Sequence, residues 1–194
     1  MRRQPLAVLL VAGIGFVWLA TSAVAQSSKA TPTAPDVVYV PTPQAVVDAM
    51  LEVAGVKNTD IVYDLGSGDG RMVITAAKKY GARGVGIEID PALVKQATAN
   101  AVAAGVADRV RFMTQNLFDA NIRDASVVTL YLLQSINERL RPKLVRELKP
   151  GTRVVSHVFN MGPEWPPERT ETIERSRIYL WSIPTGSKSH RGTP

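Results

Sequence analysis

From Thr42 onward, short apolar runs alternate with stretches in which apolar residues recur every three or four positions, the pattern of strands interleaved with helices. Thr42-Pro43 predicts a helix start, with a hydroxyl cap followed by a proline pre-set for the first turn. Val46, Met50 and Val53 give this helix its apolar face, and Gly55 ends it. Ile61 to Leu65 is a short buried strand. Beyond a glycine cluster, Val73, Ala76, Ala77 and Tyr80 share one helical face, closed by Gly81. "GVGIEID", 84–90, predicts a second strand, and Asp90-Pro91 caps a helix running to Gly105.

"RVRFMT" and "SVVTLYLL" predict strands three and four. Ser135 to Leu148 follows as a basic helical stretch with Pro142 as a candidate break, and "TRVVSHVF" predicts strand five. Thr170 to Ile173 and Arg177 to Ile183 predict a hairpin. Repeated strand–helix units imply an α/β fold, a doubly wound parallel sheet covered on both faces.

The ends differ from this pattern. "MRRQPLAVLLVAGIGFVWLATSAVAQ" has a basic start, an apolar run and an A-x-A site at Ala23-Val24-Ala25, the layout of a signal peptide. Leu6 to Ala25 also approaches the ~20 residues that span a bilayer, so a membrane anchor stays open. Residues 1–25 are thus a leader or anchor, and membrane contact would run through 6–25. Arg2 and Arg3 would stay cytoplasmic, placing the domain outside the cytoplasm. Residues 26–36 form a flexible linker, 37–184 the domain, and 185–194 a disordered basic tail.

Composition narrows the chemistry. Formal net charge is +6 over 194 residues, and +4 without Arg2 and Arg3. That is too diffuse for a dedicated nucleic-acid binder. The chain has no cysteine, which excludes disulfides, a thiolate nucleophile and cysteine-ligated metal. His157 and His190 are its two histidines, so no histidine-rich metal site is expected.

"YDLGSGDGR", Tyr63 to Arg71, puts Gly66, Gly68 and Gly70 at alternate positions directly after the first strand. Such glycines let a backbone turn sharply and a ligand approach it, with backbone N–H groups nearby. The dinucleotide pattern G-x-G-x-x-G needs glycine at 71, where this chain has Arg71, which argues against a pyrophosphate-binding dehydrogenase. Glu88, ending strand two, is either an ordinary surface acid or an acceptor for both ribose hydroxyls of an adenosine group. Asp64 and Asp69 would repel a phosphate but suit an amino group and a sulfonium. Together these features point to S-adenosyl-L-methionine.

With "YVPTP" (39–43), "DLGSGDGR" (64–71), "GVGIEIDP" (84–91), "VVSHVFNMG" (154–162) and "YLWSIP" (179–184), the chain resembles class I S-adenosylmethionine-dependent methyltransferases. More narrowly, it is similar to the small protein-lysine methyltransferases, which include archaeal broad-specificity enzymes and mitochondrial ones acting on the ATP synthase c subunit. The resemblance implies a seven-stranded, mostly parallel sheet with an N-terminal helix and a C-terminal antiparallel hairpin. It implies a protein partner presenting a lysine and no nucleic acid. Small-molecule N- or O-methylation and non-catalytic cofactor binding stay open. An exported enzyme of this kind is in tension with a cofactor made in the cytoplasm.

The resemblance also implies a site. Tyr39 and Thr42 would lie over the cofactor, and Asp64, Gly66, Ser67, Gly68, Asp69 and Gly70 would surround its methionine part. Glu88 would hold the ribose, and Ile89, Asn116 and Leu117 would complete the cofactor set. Relatives usually have an acid in place of Asn116, whose oxygen can still accept from an adenine amino group. Tyr131, ending strand four, is a catalytic candidate or a packing residue. His157, read as mid-strand, is a base or a hydrogen-bonded core histidine. Trp165 and Trp181 are core or lid packing, and Arg139, Arg141, Lys143, Arg146 and Lys149 form a solvated helix face.

Overall fold

The computed structural model describes residues 40–185. The leader, the linker, Tyr39 and all of the tail but Thr185 lie outside the described residues. Within them the order is α1 (Gln44–Val53), β1 (Ile61–Leu65), α2 (Arg71–Tyr80), β2 (Arg83–Glu88), α3 (Pro91–Ala103), β3 (Val110–Thr114), β4 (Val127–Leu130), α4 (Gln134–Glu147), β5 (Arg153–His157), β6 (Arg169–Ile173) and β7 (Ser176–Ser182). The strands form one seven-stranded sheet ordered β3-β2-β1-β4-β5-β7-β6. β1 to β5 run parallel, and β7 runs antiparallel between β5 and β6.

Alternation along each strand feeds two apolar layers. Val62, Val155 and Ile178 face Val46, Met50, Leu51, Val73 and Ala76 of α1 and α2. Leu65, Ile87, Leu130 and Trp181 face Ile136, Leu140 and Leu144 of α4. Glycines set the spacing of the first layer. A Cβ on Gly84 would stand 2.6 Å from Val73 Cβ, so its absence lets α2 lie close against β2.

Several expectations shift. Pro43, not Thr42, occupies the cap of α1, and no side-chain cap bond forms. α4 passes through Pro142 unbroken, because Ile136, Leu140 and Leu144 are buried on either side of it. His157 ends β5 and is not mid-strand. The basic run is largely engaged. Arg141 pairs with Glu164, and Lys143 and Arg146 both pair with Glu147. Arg139 lies 4.5 Å over the Phe118 ring. Trp181 is fully buried, and its Nε1–H donates to Trp165 O at 2.8 Å.

Candidate functional site

Strand order reverses between β1 and β4, so the crevice of the sheet opens at the carboxyl ends of these strands. The chain leaves β1 there through Gly66, Gly68 and Gly70, all in the left-handed region with φ of 85°, 51° and 82°. Side chains rarely adopt these angles, which accounts for the three glycines. Gly70 is further constrained, since a Cβ there would sit 2.5 Å from Phe112 Cζ.

The loop is not a row of free donors. Gly66 and Ser67 N–H both donate to Ile87 O, at 2.8 and 3.0 Å, and Gly70 N–H donates to Ser67 O. Gly68 N–H donates to Glu88 Oε2 at 2.9 Å. The sequence suggested amides turned toward a ligand; folding spends them on closing the loop against β2. A phosphate cradle needs such amides free, so the loop suits a cation better than an anion.

Glu88 therefore does more than end a strand. Its Oε1 also accepts from Ile89 N–H at 2.7 Å and Asp90 N–H at 3.0 Å. A carboxylate has about four lone-pair positions, and three are filled. One position remains for a ribose hydroxyl; a second hydroxyl would have to displace a backbone donor.

Asp64 is buried beside β4, where Thr129 Oγ1–H donates to its Oδ1 at 2.6 Å. Burial pushes its carboxyl up to about 7 against the pull of the Thr129 bond, with Glu88 and Asp69 adding repulsion. A positive ligand group would relieve that repulsion. Asp69 is less available, because Arg71 Nε and Nη2 grip its carboxylate, with Nη2 to Oδ2 at 2.6 Å. Arg71 Nη1 also donates to Thr42 O at 2.7 Å, tying the start of the domain to the glycine loop. The Ser67 hydroxyl is buried without a hydrogen-bond partner. Asn116 Oδ1 accepts from Phe118 N–H at 3.0 Å, and Leu117 packs against the core beside it.

At the ends of β4 and β5, Tyr131 and His157 meet with ring centroids 4.1 Å apart. His157 is 2% exposed, and neither ring nitrogen has a hydrogen-bond partner. That departs from the hydrogen-bonded core histidine expected from the sequence. Burial lowers its pKa, so the ring is uncharged at neutral pH.

Sequence reasoning missed Thr129, Arg71 and Gly86. A lone threonine in the apolar run Val127–Leu130 was a usable signal for the first. Arg71's reach to Thr42 crosses 29 positions and had none. Gly86 makes room for Ser67, whose Oγ would lie 2.6 Å from an added Cβ. Its alternation with Gly84 was the available sign.

The ANTKMT methyltransferase domain matches residues 64–169. A protein-lysine N-methyltransferase of Saccharolobus islandicus is 47% identical over 154 residues, covering 77% of this chain and 95% of the relative. The mouse adenine nucleotide translocase lysine N-methyltransferase is 36% identical over 63% of this chain. The chain spans about half the length of that relative, 53%. Among solved structures, an RNA methyltransferase from Salinibacter ruber in complex with S-adenosyl-L-homocysteine is 58% identical, with a TM-score of 0.75. The match covers 79% of this chain and 100% of that one.

Proposed function

Since this chain belongs to the family of the ANTKMT methyltransferase domain and is an S-adenosylmethionine-dependent methyltransferase, we propose that its acceptor is the side-chain amine of a protein lysine. The observation that carries this reading is the 47% identity to an archaeal protein-lysine N-methyltransferase over 95% of that protein's length. The site is compatible with it. The side chains converging at the ends of β4 and β5 are Tyr131 and an uncharged His157, which do not repel an approaching amine.

The cofactor supplies a methyl on a sulfonium, which an amine lone pair takes up in line while the carbon–sulfur bond electrons return to sulfur. The chain's own contribution is binding, alignment and exclusion of water. Gly66, Gly68 and Gly70 leave backbone bare for close approach, and Ser67 adds an unpartnered hydroxyl. Asp64 supplies negative charge for the ammonium and sulfonium, and the remaining lone-pair position on Glu88 serves the ribose. Asn116 and Leu117 flank the adenine. The lysine loses its proton to water, and a dry site favours the uncharged form.

RNA is the second reading, favoured by the name of the Salinibacter ruber relative. Against it, the arginines and lysines of α4 are held by Glu147, Glu164 and Phe118, leaving no basic stripe on that helix. Extract from cells lacking the enzyme is incubated with methyl-labelled S-adenosylmethionine and the purified chain. Label recovered as methyl-lysine after protein hydrolysis is the expected result. Label that is sensitive to ribonuclease and absent from protein would overturn the reading.

A further inference from the structure

The chain turns abruptly where β5 ends. Val158 has φ of 67°, and Phe159 N–H donates to His157 O at 2.8 Å across it. A bond between residues two apart around a positive-φ centre is the rare, strained hand of the γ-turn. A β-branched residue there is a genuine outlier, and such strain persists only where the surrounding structure enforces it. Val158 does not recover this by burial, since it is 38% exposed.

The turn is held from three sides. Ser156 Oγ–H donates to Phe159 O at 2.6 Å. The buried Asn137 donates from Nδ2 to Ser156 Oγ and to Phe159 O, at 3.2 and 3.1 Å. Val158 N–H donates to Arg177 O at 2.7 Å. This scaffolding fixes the direction of one side chain, the imidazole that precedes the turn.

That imidazole is expensive where it stands. A neutral ring carries one donor and one acceptor, and each left unmet in the interior has given up its water without a replacement partner. Phenylalanine would fill a similar volume beside Tyr131 without either cost. A strained turn and an unsatisfied polar ring coincide at the mouth of the crevice, beside Tyr131, the more exposed of the two rings.

We infer that His157 is the seat of the acceptor nitrogen: a ring nitrogen accepts a hydrogen bond from the incoming amine and aims its lone pair at the methyl, with Tyr131 as the ring that moves aside to admit it. The inference rests on the amine reading above. His157 takes a hydrogen bond and not the proton. An imidazole made less basic by burial is too weak an acceptor for an alkylammonium proton, which leaves to water before attack. In the transfer itself the nitrogen–carbon bond forms and the carbon–sulfur bond breaks, its electrons staying on sulfur. Positive charge passes to the nitrogen, and the methylated product then releases a proton to water. An imidazolium would add a second positive charge beside the one that passes from sulfur to nitrogen, and it would have no lone pair to accept from the amine; the buried, uncharged ring avoids both.

Two kinds of substitution separate this role from packing. His157→Phe and His157→Leu keep apolar filling, while His157→Asn and His157→Gln place an amide near one or the other ring nitrogen. Each full-length variant is assayed for initial methyl transfer to extract protein, for S-adenosylmethionine affinity by calorimetry and for thermal midpoint. Misplacing a reacting atom by about 1 Å costs on the order of 100-fold in rate. We expect the apolar variants to lose about that much with cofactor affinity within about twofold of wild type, and the better amide variant to stay within about tenfold. Apolar variants that match wild type, or that outperform both amides, would return His157 to packing. A parallel collapse of cofactor affinity would also overturn the assignment. Label recovered on a residue other than lysine would sink the lysine reading alone, since the amide-against-apolar comparison still decides the seat.

Discussion

Replacing Glu88 by glutamine keeps the size of the side chain and one of its two carbonyl-type acceptors. That oxygen can serve Gly68 N–H or the Ile89 and Asp90 N–H pair, not both. Keeping the pair turns an NH2 group toward Gly68 N–H, which now donates to Oε2 at 2.9 Å. A hydrogen bond to a charged group contributes ~1.5–3 kcal/mol, so the apo domain should lose about 2 kcal/mol. For a domain of this size the thermal midpoint should fall by roughly 4–8 °C. Removing a ribose hydrogen bond of similar strength should weaken S-adenosylmethionine binding about 30-fold. Scanning calorimetry of the free protein and titration calorimetry with the cofactor measure the two effects separately. An unchanged midpoint with weakened binding would refute the claim that Glu88 organises the glycine loop. An unchanged affinity would refute its place at the cofactor.

Asp64→Asn keeps an acceptor for Thr129 and removes a carboxyl whose folded pKa is about 7 against an ordinary 3.8. A raised folded pKa means the native state holds the proton more tightly, so wild-type apo stability should fall as pH rises from about 4 to 7, by on the order of 4 kcal/mol. The variant should lack that slope and be the more stable above pH 7; parallel denaturation curves at pH 5 and 8 would disprove this. Wild-type affinity for S-adenosylmethionine should strengthen through the same window more than affinity for the uncharged-sulfur product. Gly66→Ala and Gly70→Ala start from nearly equal φ, 85° and 82°, yet meet different neighbours. The first meets the flexible Leu132 Cδ2 at 3.0 Å and the second the Phe112 ring at 2.5 Å. Both should cost ~1–2 kcal/mol for the backbone, and Gly70→Ala measurably more; equal urea midpoints would refute the Phe112 clash.

Elements with a clear period were legible in the sequence: β1, α2, β2, α3 and the hairpin each carry their pattern in local spacing. Pro142 was a poor guide, since one missing backbone bond in α4 is outweighed by the burial of Ile136, Leu140 and Leu144. The charges on the same helix looked solvated because their partners are contextual; Glu164 comes from a loop 23 positions away from Arg141. At the site, residue types were readable and their connections were not. Glu88 could be chosen as a strand-end acid, but its bond to Gly68 joins positions 20 apart. The unmet nitrogens of His157 depend on every element packed around it, which no local pattern encodes.

The placement of β7 has a consequence for how the protein is made. β6 has β7 as its sheet partner, and β5 meets no other strand on that side. Ile178 belongs to one apolar layer and Trp181 to the other, so neither layer closes without this strand. During synthesis, β1 to β5 can dock as they emerge, but β6 must wait, exposed, for a segment made after it. The nascent chain therefore carries an open sheet edge until residue 182 has left the ribosome, and chaperone binding to stalled chains should be strongest between the completion of β5 and the completion of β7.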